Sequence, residues 1–193
     1  MMDYTKPKFI THIPYVPGGQ LGKEYNRILE KTDSDWVLFL DHDVLLCNPH
    51  WYRICENAIN SLPDAGMFTC YTNAISCQCQ KVGQVLPTKG VNSSVMDHLK
   101  LSEELYYKFR DSYTKVGGIS GFFMLISRKA WEDVGGFPGE GFYKEDRNFS
   151  GRLLRKGYGI YRLDGLYVYH IYKDKPNFSV EGSNISTDFM NKK

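Results

Sequence analysis

Short apolar runs alternate with amphipathic stretches along the chain as far as residue 170. The runs at residues 9–13, 36–40, 65–71 and 119–126 are typical of strands, as are those at 159–163 and 166–170. Apolar side chains spaced by three and four positions predict helices over residues 20–31, 49–62, 96–109, 128–134 and 146–156. Because strands and helices alternate, the pattern predicts one α/β domain with a mixed, mostly parallel sheet flanked by helices.

Composition narrows the classes to which the protein can belong. The 193 residues include 24 Lys and Arg against 22 Asp and Glu, and this formal charge of +2 is too small for a nucleic-acid-binding surface. No run is apolar enough for a membrane span or a secretory signal, so we expect a cytoplasmic protein, in the host cytoplasm if the source is viral. The five cysteines are an odd number, and we interpret them as reduced thiols that mostly pack in the core.

Two aspartates follow the apolar run at residues 36–40. In a strand, side chains two positions apart share a face, so Asp41 and Asp43 can project together while His42 points away. Ligands bind at the carboxyl ends of strands in open α/β sheets, and paired carboxylates there suit Mg²⁺ or Mn²⁺. A solvated strand end without a metal is the alternative, because aspartate is common in turns.

Three further signals are weak when each is taken alone. Glu145 and Asp146 open a helix after a glycine-rich stretch, where a carboxylate could act as a general base or could simply favour the first helical turn. His170 ends the last strand, either as a metal ligand or as a half-exposed side chain. The glycines of residues 117–121 could let a substrate approach the backbone, or they could form a turn and a bulge.

Taken in order, these motifs resemble those of the glycosyltransferases of the GT-A fold. Members of this Rossmann-like family transfer a sugar from a nucleotide-sugar donor with the help of a divalent metal. The resemblance covers about residues 9–171 and depends on five features in the family's order. These are a helix with Gly22 and Asn26, the DxD motif that ends residues 36–43, a glycine loop at 117–122, an xED motif at 142–146, and the C-terminal histidine His170.

The resemblance implies a role for each matching residue. It makes Asp43 and His170 direct ligands of Mn²⁺ or Mg²⁺, with Asp41 contacting the water shell of the metal or the nucleotide. Asp146 becomes the general base that deprotonates an acceptor hydroxyl, and Glu145 becomes a second catalytic residue that binds the acceptor or the donor sugar. The resemblance implies that an enzyme with such a site is a hexosyltransferase that inverts the anomeric centre. UDP-sugars are the commonest donors in the family.

The N-terminal part departs from the family pattern, because one strand at residues 9–13 leads almost directly into the helix at 20–31. We therefore expect a pared-down domain over residues 1–172 and a polar tail over residues 173–193 that could close over the ligand. Contacts to the donor are expected from Ile13, Pro14, Tyr15, Asn26, Asp41, Gly118 and Lys173. The expected partners are a nucleotide-sugar donor, UDP as product, and a carbohydrate or other hydroxyl acceptor, with no nucleic acid and no membrane span.

Two other functions stay open on the sequence alone. A nucleotide- or sugar-binding module could keep the metal site and lack turnover. A phosphohydrolase with Asp41 as nucleophile would also carry a DxD sequence after a buried strand, although it has no use for Asp146. The identity of the acceptor is equally open, because residues 72–115 contain no motif.

Overall fold

A computed structural model of the protein describes residues 7–16, 19–84, 94–138 and 144–171. The strands within these residues are β1 (Ile10–His12), β2 (Trp36–Leu40), β3 (Val44–Leu46), β4 (Ala65–Thr72), β5 (Tyr113–Lys115), β6 (Phe123–Ser127) and β7 (Gly159–His170). The helices are α1 (Leu21–Lys31), α2 (Trp51–Ser61), α3 (Val95–Phe109), α4 (Arg128–Asp133) and α5 (Glu145–Lys156), with two 3₁₀ turns at Gln78–Gln80 and Val82–Gln84. The tail with Lys173 lies outside the described residues, so the division into a domain and a tail stays a prediction.

The strands form one mixed sheet in the order β1-β2-β6-β4-β7-β3, and β5 pairs with β7. β1 and β2 are parallel, β4 and β7 are parallel, and β6 lies antiparallel between β2 and β4. β1, β2, β4 and β7 therefore run in one direction, whereas β3 and β5 each oppose β7. The predicted fold class, a single α/β domain with a mixed sheet flanked by helices, is confirmed.

Helices cover both faces of the sheet. Val37 and Phe39 of β2 pack in a cluster with α1, α4 and α5 on one face. Leu38 and Leu40, the alternate residues, pack in a second cluster with α2 on the opposite face. A third cluster joins α3 to β7. Because successive side chains of β2 enter different clusters, the strand is apolar at every position, as its sequence indicated.

The sequence pattern located all five of these helices to within two residues, but it missed β3 and β5. Each of the missed strands has three residues, which is too short for a periodicity to emerge. β6 begins at Phe123 rather than at residue 119, because the preceding residues form a loop. The side chain of Gln80 holds this loop, donating to the Ser120 carbonyl oxygen at 3.0 Å and accepting the Ser120 N–H at 2.7 Å.

β7 is one strand rather than the two that were expected. Its register with β4 shifts, because Cys70 pairs with Leu163 and the next residue, Tyr71, pairs with Tyr167. Gly165 lies in this bulge, where a Cβ would come within 2.5 Å of the Arg110 Cα, so only glycine fits the close approach of the two backbones. The bulge divides the apolar pattern of β7 in two, which explains why the sequence suggested two strands.

The described residues contain no helix that has both the length and the apolar character needed to cross a membrane. All five cysteines are free thiols, and Cys47, Cys55 and Cys70 are buried in the core. Cys77 and Cys79 are partly exposed, with their Sγ atoms 3.2 Å apart.

Candidate functional site

Asp41, His42 and Asp43 form a tight turn between β2 and β3. The Val44 N–H donates to the Asp41 carbonyl oxygen at 3.3 Å, and the Asp41 N–H donates to the Phe122 carbonyl oxygen at 3.0 Å. Asp41 and Asp43 project together as expected, but a turn brings them together rather than strand alternation, because these residues lie beyond the end of β2. His42 lines the same cavity as the two aspartates.

The pairing of β3 with β7 brings His170 to this turn. Val44 lies opposite His170 in the antiparallel register, and the Ile171 N–H donates to the Asp43 carbonyl oxygen at 2.9 Å. A strand that the sequence analysis missed therefore joins Asp43 to a histidine far away in the chain.

The three side chains have the geometry of a metal site. The His170 Nε2 atom lies 3.2 Å from an Asp43 carboxylate oxygen and 3.9 Å from one of Asp41, and one ligand atom of each residue lies within 4.8 Å of the others. The His170 Nδ1 atom is 3.0 Å from the Ala74 carbonyl oxygen, which can only accept, so Nδ1 carries a proton. In the neutral ring, Nε2 then presents a lone pair to the carboxylates, and such acceptors approach each other only with a proton or a cation between them. Two carboxylates and one imidazole fit a divalent cation such as Mn²⁺.

Neighbouring groups hold His170 in this orientation. The His170 N–H donates to the Asn73 Oδ1 atom at 2.8 Å, and the Asn73 Nδ2 atom donates to the His170 carbonyl oxygen at 3.1 Å. The ring of Phe122 stacks on the imidazole, with centroids 5.7 Å apart and an angle of 20° between the planes. His170 is only 4% exposed, so its Nε2 atom has a fixed direction.

Burial raises the pKa of Asp41 to about 6, because the carboxylate loses hydration beside the cavity. His170 opposes this shift, whereas the charges of Asp43 and Asp146 add to it. The acidic start of α5 lies near the same turn, because Asp146 contacts Gly121 and the next residue, Phe122, accepts the Asp41 N–H.

Asp146 lies at the start of α5, beside the glycine loop. Its carboxylate accepts the N–H of Arg147 at 2.7 Å and also the N–H of Gly121. A Cβ on Gly121 would lie 3.4 Å from the Asp146 Cβ, so the loop and the helix are in close contact. Burial raises the pKa of Asp146 in spite of these two donors. The carboxylate thus combines a fixed position with an increased affinity for a proton.

Glu145 contacts α1 instead. It is 7% exposed and accepts the N–H of Gly22, in the first turn of a helix whose N-cap residue, Gln20, makes no side-chain cap. The carboxylate thereby satisfies a donor at the positive end of α1. A Cβ on Gly22 would lie 2.8 Å from the Pro138 carbonyl oxygen and 3.2 Å from the Glu145 Cγ, so glycine is needed for this approach. These contacts favour a positioning role for Glu145 over the predicted catalytic one.

A cavity of about 930 Å³ opens beside the two aspartates and His170. Pro14, one of the predicted donor contacts, lines it together with Leu21. Ile13 and Tyr15 are 53% and 85% exposed, so both side chains lie open to solvent next to Pro14 in the chain. Lys173, another predicted contact, lies outside the described residues.

Asn26, also predicted to contact the donor, joins α1 to α4 and to the segment after it. Its Oδ1 atom accepts from the Trp131 Nε1 and from the Phe137 N–H, both at 2.8 Å, and its Nδ2 atom donates to the Phe137 carbonyl oxygen at 3.0 Å. Gly136 has φ +75°, and a Cβ there would lie 2.8 Å from the Asn26 Oδ1. These contacts favour a structural role for Asn26 rather than the predicted one.

Residues 73–81 form a wall of the cavity that the sequence analysis did not assign. Its lining side consists of Asn73, Ala74, Ile75, Ser76 and Lys81. The wall also contacts the predicted donor residue Gly118, whose carbonyl oxygen accepts from the thiols of Cys77 and Cys79 at 3.6 and 3.5 Å. The sequence offered one signal for this wall, its position: the polar stretch directly follows the carboxyl end of a buried strand, where ligands bind in open α/β sheets.

No protein-family model matches the chain, and no curated protein matches it. Solved structures do match. Residues 1–349 of TarS from S. aureus in complex with UDP-GlcNAc give a TM-score of 0.50 at 17% identity, over 78% of this chain and 38% of that one. The mannosyltransferase PcManGT from Pyrobaculum calidifontis, in complex with GDP-Man and Mn²⁺, gives 0.51 at 13% identity, over 79% of this chain and 36% of that one.

The chain spans about two fifths of the length of these structures. At such identities the likeness shows the fold alone. The protein therefore has a GT-A-like fold, as the motif resemblance implied.

Proposed function

We propose that the protein is a metal-dependent glycosyltransferase that moves a hexose from a UDP-sugar to an acceptor hydroxyl. The convergence of Asp41, Asp43 and His170 beside a cavity of about 930 Å³, large enough for a nucleotide-sugar, is the observation that carries this proposal. The fold supports it, because the TarS and PcManGT structures that share it contain UDP-GlcNAc and GDP-Man.

Asp43 and His170 would ligate the cation directly, and Asp41 would complete the site from the same turn. A divalent cation bound there would stabilise the charge that develops on the departing nucleoside diphosphate. Asn73 holds the backbone of His170 and the Ala74 carbonyl oxygen accepts from its Nδ1, so Nε2 would be free to ligate a cation. Pro14 and Leu21, which line the same cavity, would supply apolar contacts, and the exposed ring of Tyr15 is suited to stacking on the base.

Asp146 would act as the general base. As the acceptor oxygen forms its bond to the anomeric carbon, the hydroxyl proton passes to the Asp146 carboxylate and the bond to the diphosphate oxygen breaks. A single displacement of this kind inverts the anomeric centre. The position of Asp146 beside the glycine loop and near Asp41 favours an enzyme over a binding module, which needs no base. It also disfavours a phosphohydrolase, which would use only Asp41.

The test is to incubate the protein with a panel of UDP- and GDP-sugars, Mn²⁺ and a mixture of hydroxyl acceptors, and to measure release of the nucleoside diphosphate. We expect release with at least one UDP-sugar, loss of release in Asp43→Ala, and unchanged release in the matched control Asp35→Ala, whose side chain is exposed just before β2. Binding of donors without any release would support the binding module. Release of inorganic phosphate through a phospho-aspartate would support the phosphohydrolase.

A further inference from the structure

The wall of residues 73–81 contains one charged side chain, that of Lys81, to which the proposed function assigns no role. Lys81 lines the cavity that also contains Asp41, Asp43 and His170. It is the only lysine or arginine among the cavity-lining residues that the structure describes. Within those described residues, no carboxylate lies close enough to pair with its ammonium group.

Backbone contacts fix the position of Lys81 in the wall. Its neighbours Gln80 and Val82 are buried, whereas Lys81 is half-buried and lines the cavity. A parallel bridge to Thr72 at the end of β4 and a bond from the Lys81 N–H to the Gln78 carbonyl oxygen hold the main chain. These contacts hold the main chain at Lys81 in one place in the fold.

Gln80 anchors this position to the core. Its Nε2 atom donates to the Thr69 hydroxyl at 2.7 Å, and the same side chain makes two bonds to Ser120 of the glycine loop. The residue that precedes Lys81 is thus bonded both to β4 and to the glycine loop. This anchoring fixes the backbone at Lys81, and the flexible four-carbon side chain can then bring its ammonium group to an anionic oxygen in the cavity.

We infer that Lys81 forms an anion subsite of the donor pocket and binds an anionic oxygen of the nucleotide-sugar. The inference rests on the proposed function, and it names a specificity residue that the DxD, glycine-loop, xED and histidine motifs leave out. The anionic oxygen has two sources, the diphosphate and a carboxylate on the sugar ring. A lysine ammonium suits either, because it is a compact point charge with three donors.

The experiment compares wild-type protein with Lys81→Met and Lys81→Arg by calorimetry, in the presence of Mn²⁺, with UDP, UDP-glucose and UDP-glucuronate as separate ligands. Lys100→Met, on the exposed side of α3, is the matched control, and thermal melts check that each variant is folded. We expect Lys81→Met to lose affinity about ten- to a hundredfold, Lys81→Arg to keep most of it, and the control to match wild type.

The ligands distinguish the two sources. Equal loss for all three ligands assigns Lys81 to the diphosphate, and loss confined to UDP-glucuronate assigns it to a sugar carboxylate. Unchanged affinity of folded Lys81→Met for every ligand would overturn the inference while leaving the glycosyltransferase proposal intact. If wild-type protein binds no nucleotide at all, the glycosyltransferase proposal fails. In that case, titration with inorganic pyrophosphate without metal tests the anion subsite by itself. Weaker binding by Lys81→Met than by wild type would support the subsite, and equal binding would overturn it.

Discussion

Among the pairs of nearby acidic residues in the chain, two supply the candidate catalytic and metal-binding carboxylates, Asp41 with Asp43 and Glu145 with Asp146. In the structure the first pair converges, because a turn directs both carboxylates towards the Nε2 atom of His170. The second pair diverges, since Glu145 caps α1 through Gly22 while Asp146 contacts the glycine loop. An acidic pair thus acquires its function from the backbone that carries it.

A tight turn and a helix start distribute neighbouring side chains differently. In the turn, residues two apart meet on one side, and the antiparallel strand β3 locks that side against β7. At the start of α5, successive side chains are about 100° apart around the helix axis, so adjacent carboxylates face different partners. We therefore expect the Asp pair to act on one ion, and Glu145 and Asp146 to have separable effects.

The largest separable effect is expected for Asp146. Asp146→Asn keeps the shape of the side chain and removes its basicity, so the transfer rate should fall about 10²- to 10⁴-fold. The affinity for UDP with Mn²⁺ should stay near the wild-type value, because a base is used only during attack by the acceptor. Steady-state kinetics and calorimetry on the same preparation measure both quantities. Loss of nucleotide binding in this variant would show that Asp146 belongs to the donor site and is not a base alone.

The converging pair depends on a histidine that Asn73 holds through two backbone bonds. Asn73→Ala removes both bonds, and outer contacts of metal ligands are typically worth 10- to 100-fold in affinity, so Mn²⁺-dependent UDP binding should weaken by about that factor. Asn60→Ala, on the exposed side of α2, is the control and should bind like wild type. Equal affinities in the two variants would show that His170 does not need this support.

The contact between Glu145 and α1 predicts a stability effect at Gly22. A methyl group there meets the Pro138 carbonyl oxygen at 2.8 Å, so Gly22→Ala should lower the free energy of unfolding by about 1–3 kcal/mol. Gly117→Ala is the control, because a Cβ at Gly117 meets no atom within 4 Å. Urea denaturation followed by fluorescence measures both variants, and equal midpoints would contradict the close packing of α1 against Glu145.

The smallest effect is the pH dependence of Glu145→Gln. Burial raises the pKa of Glu145 in the folded protein, so the wild type loses stability as pH rises from the unfolded pKa of about 4.5 through the folded pKa. Glutamine cannot ionise, and the variant should therefore gain stability relative to wild type over that interval and keep the gain at neutral pH. Thermal melts between pH 4 and 8 test this. A variant that becomes relatively less stable as pH rises would show that the bond from Gly22 outweighs burial.

Much of this arrangement follows from the sequence, and the exceptions have physical causes. Long periodic helices and the apolar strand at residues 36–40 emerge from local pattern, because each buries a face that the sequence must keep apolar. The three-residue strand β3, which places His170, has no such pattern, and its position is decided by pairing with a distant strand. Asn26 and Asn73 show the same limit, since an amide that holds backbone and an amide that binds ligand look identical until their partners are known.

The central claim is that Asp43 and His170 bind one divalent cation together. Calorimetry of Mn²⁺-dependent UDP binding in wild type, Asp43→Ala, His170→Ala and the double variant tests it most directly. We expect each single variant to lose affinity on the order of a hundredfold, and the double variant to lose little more, because residues that share one ion are not additive. Wild-type affinity in His170→Ala, or losses that add in the double variant, would contradict a shared site.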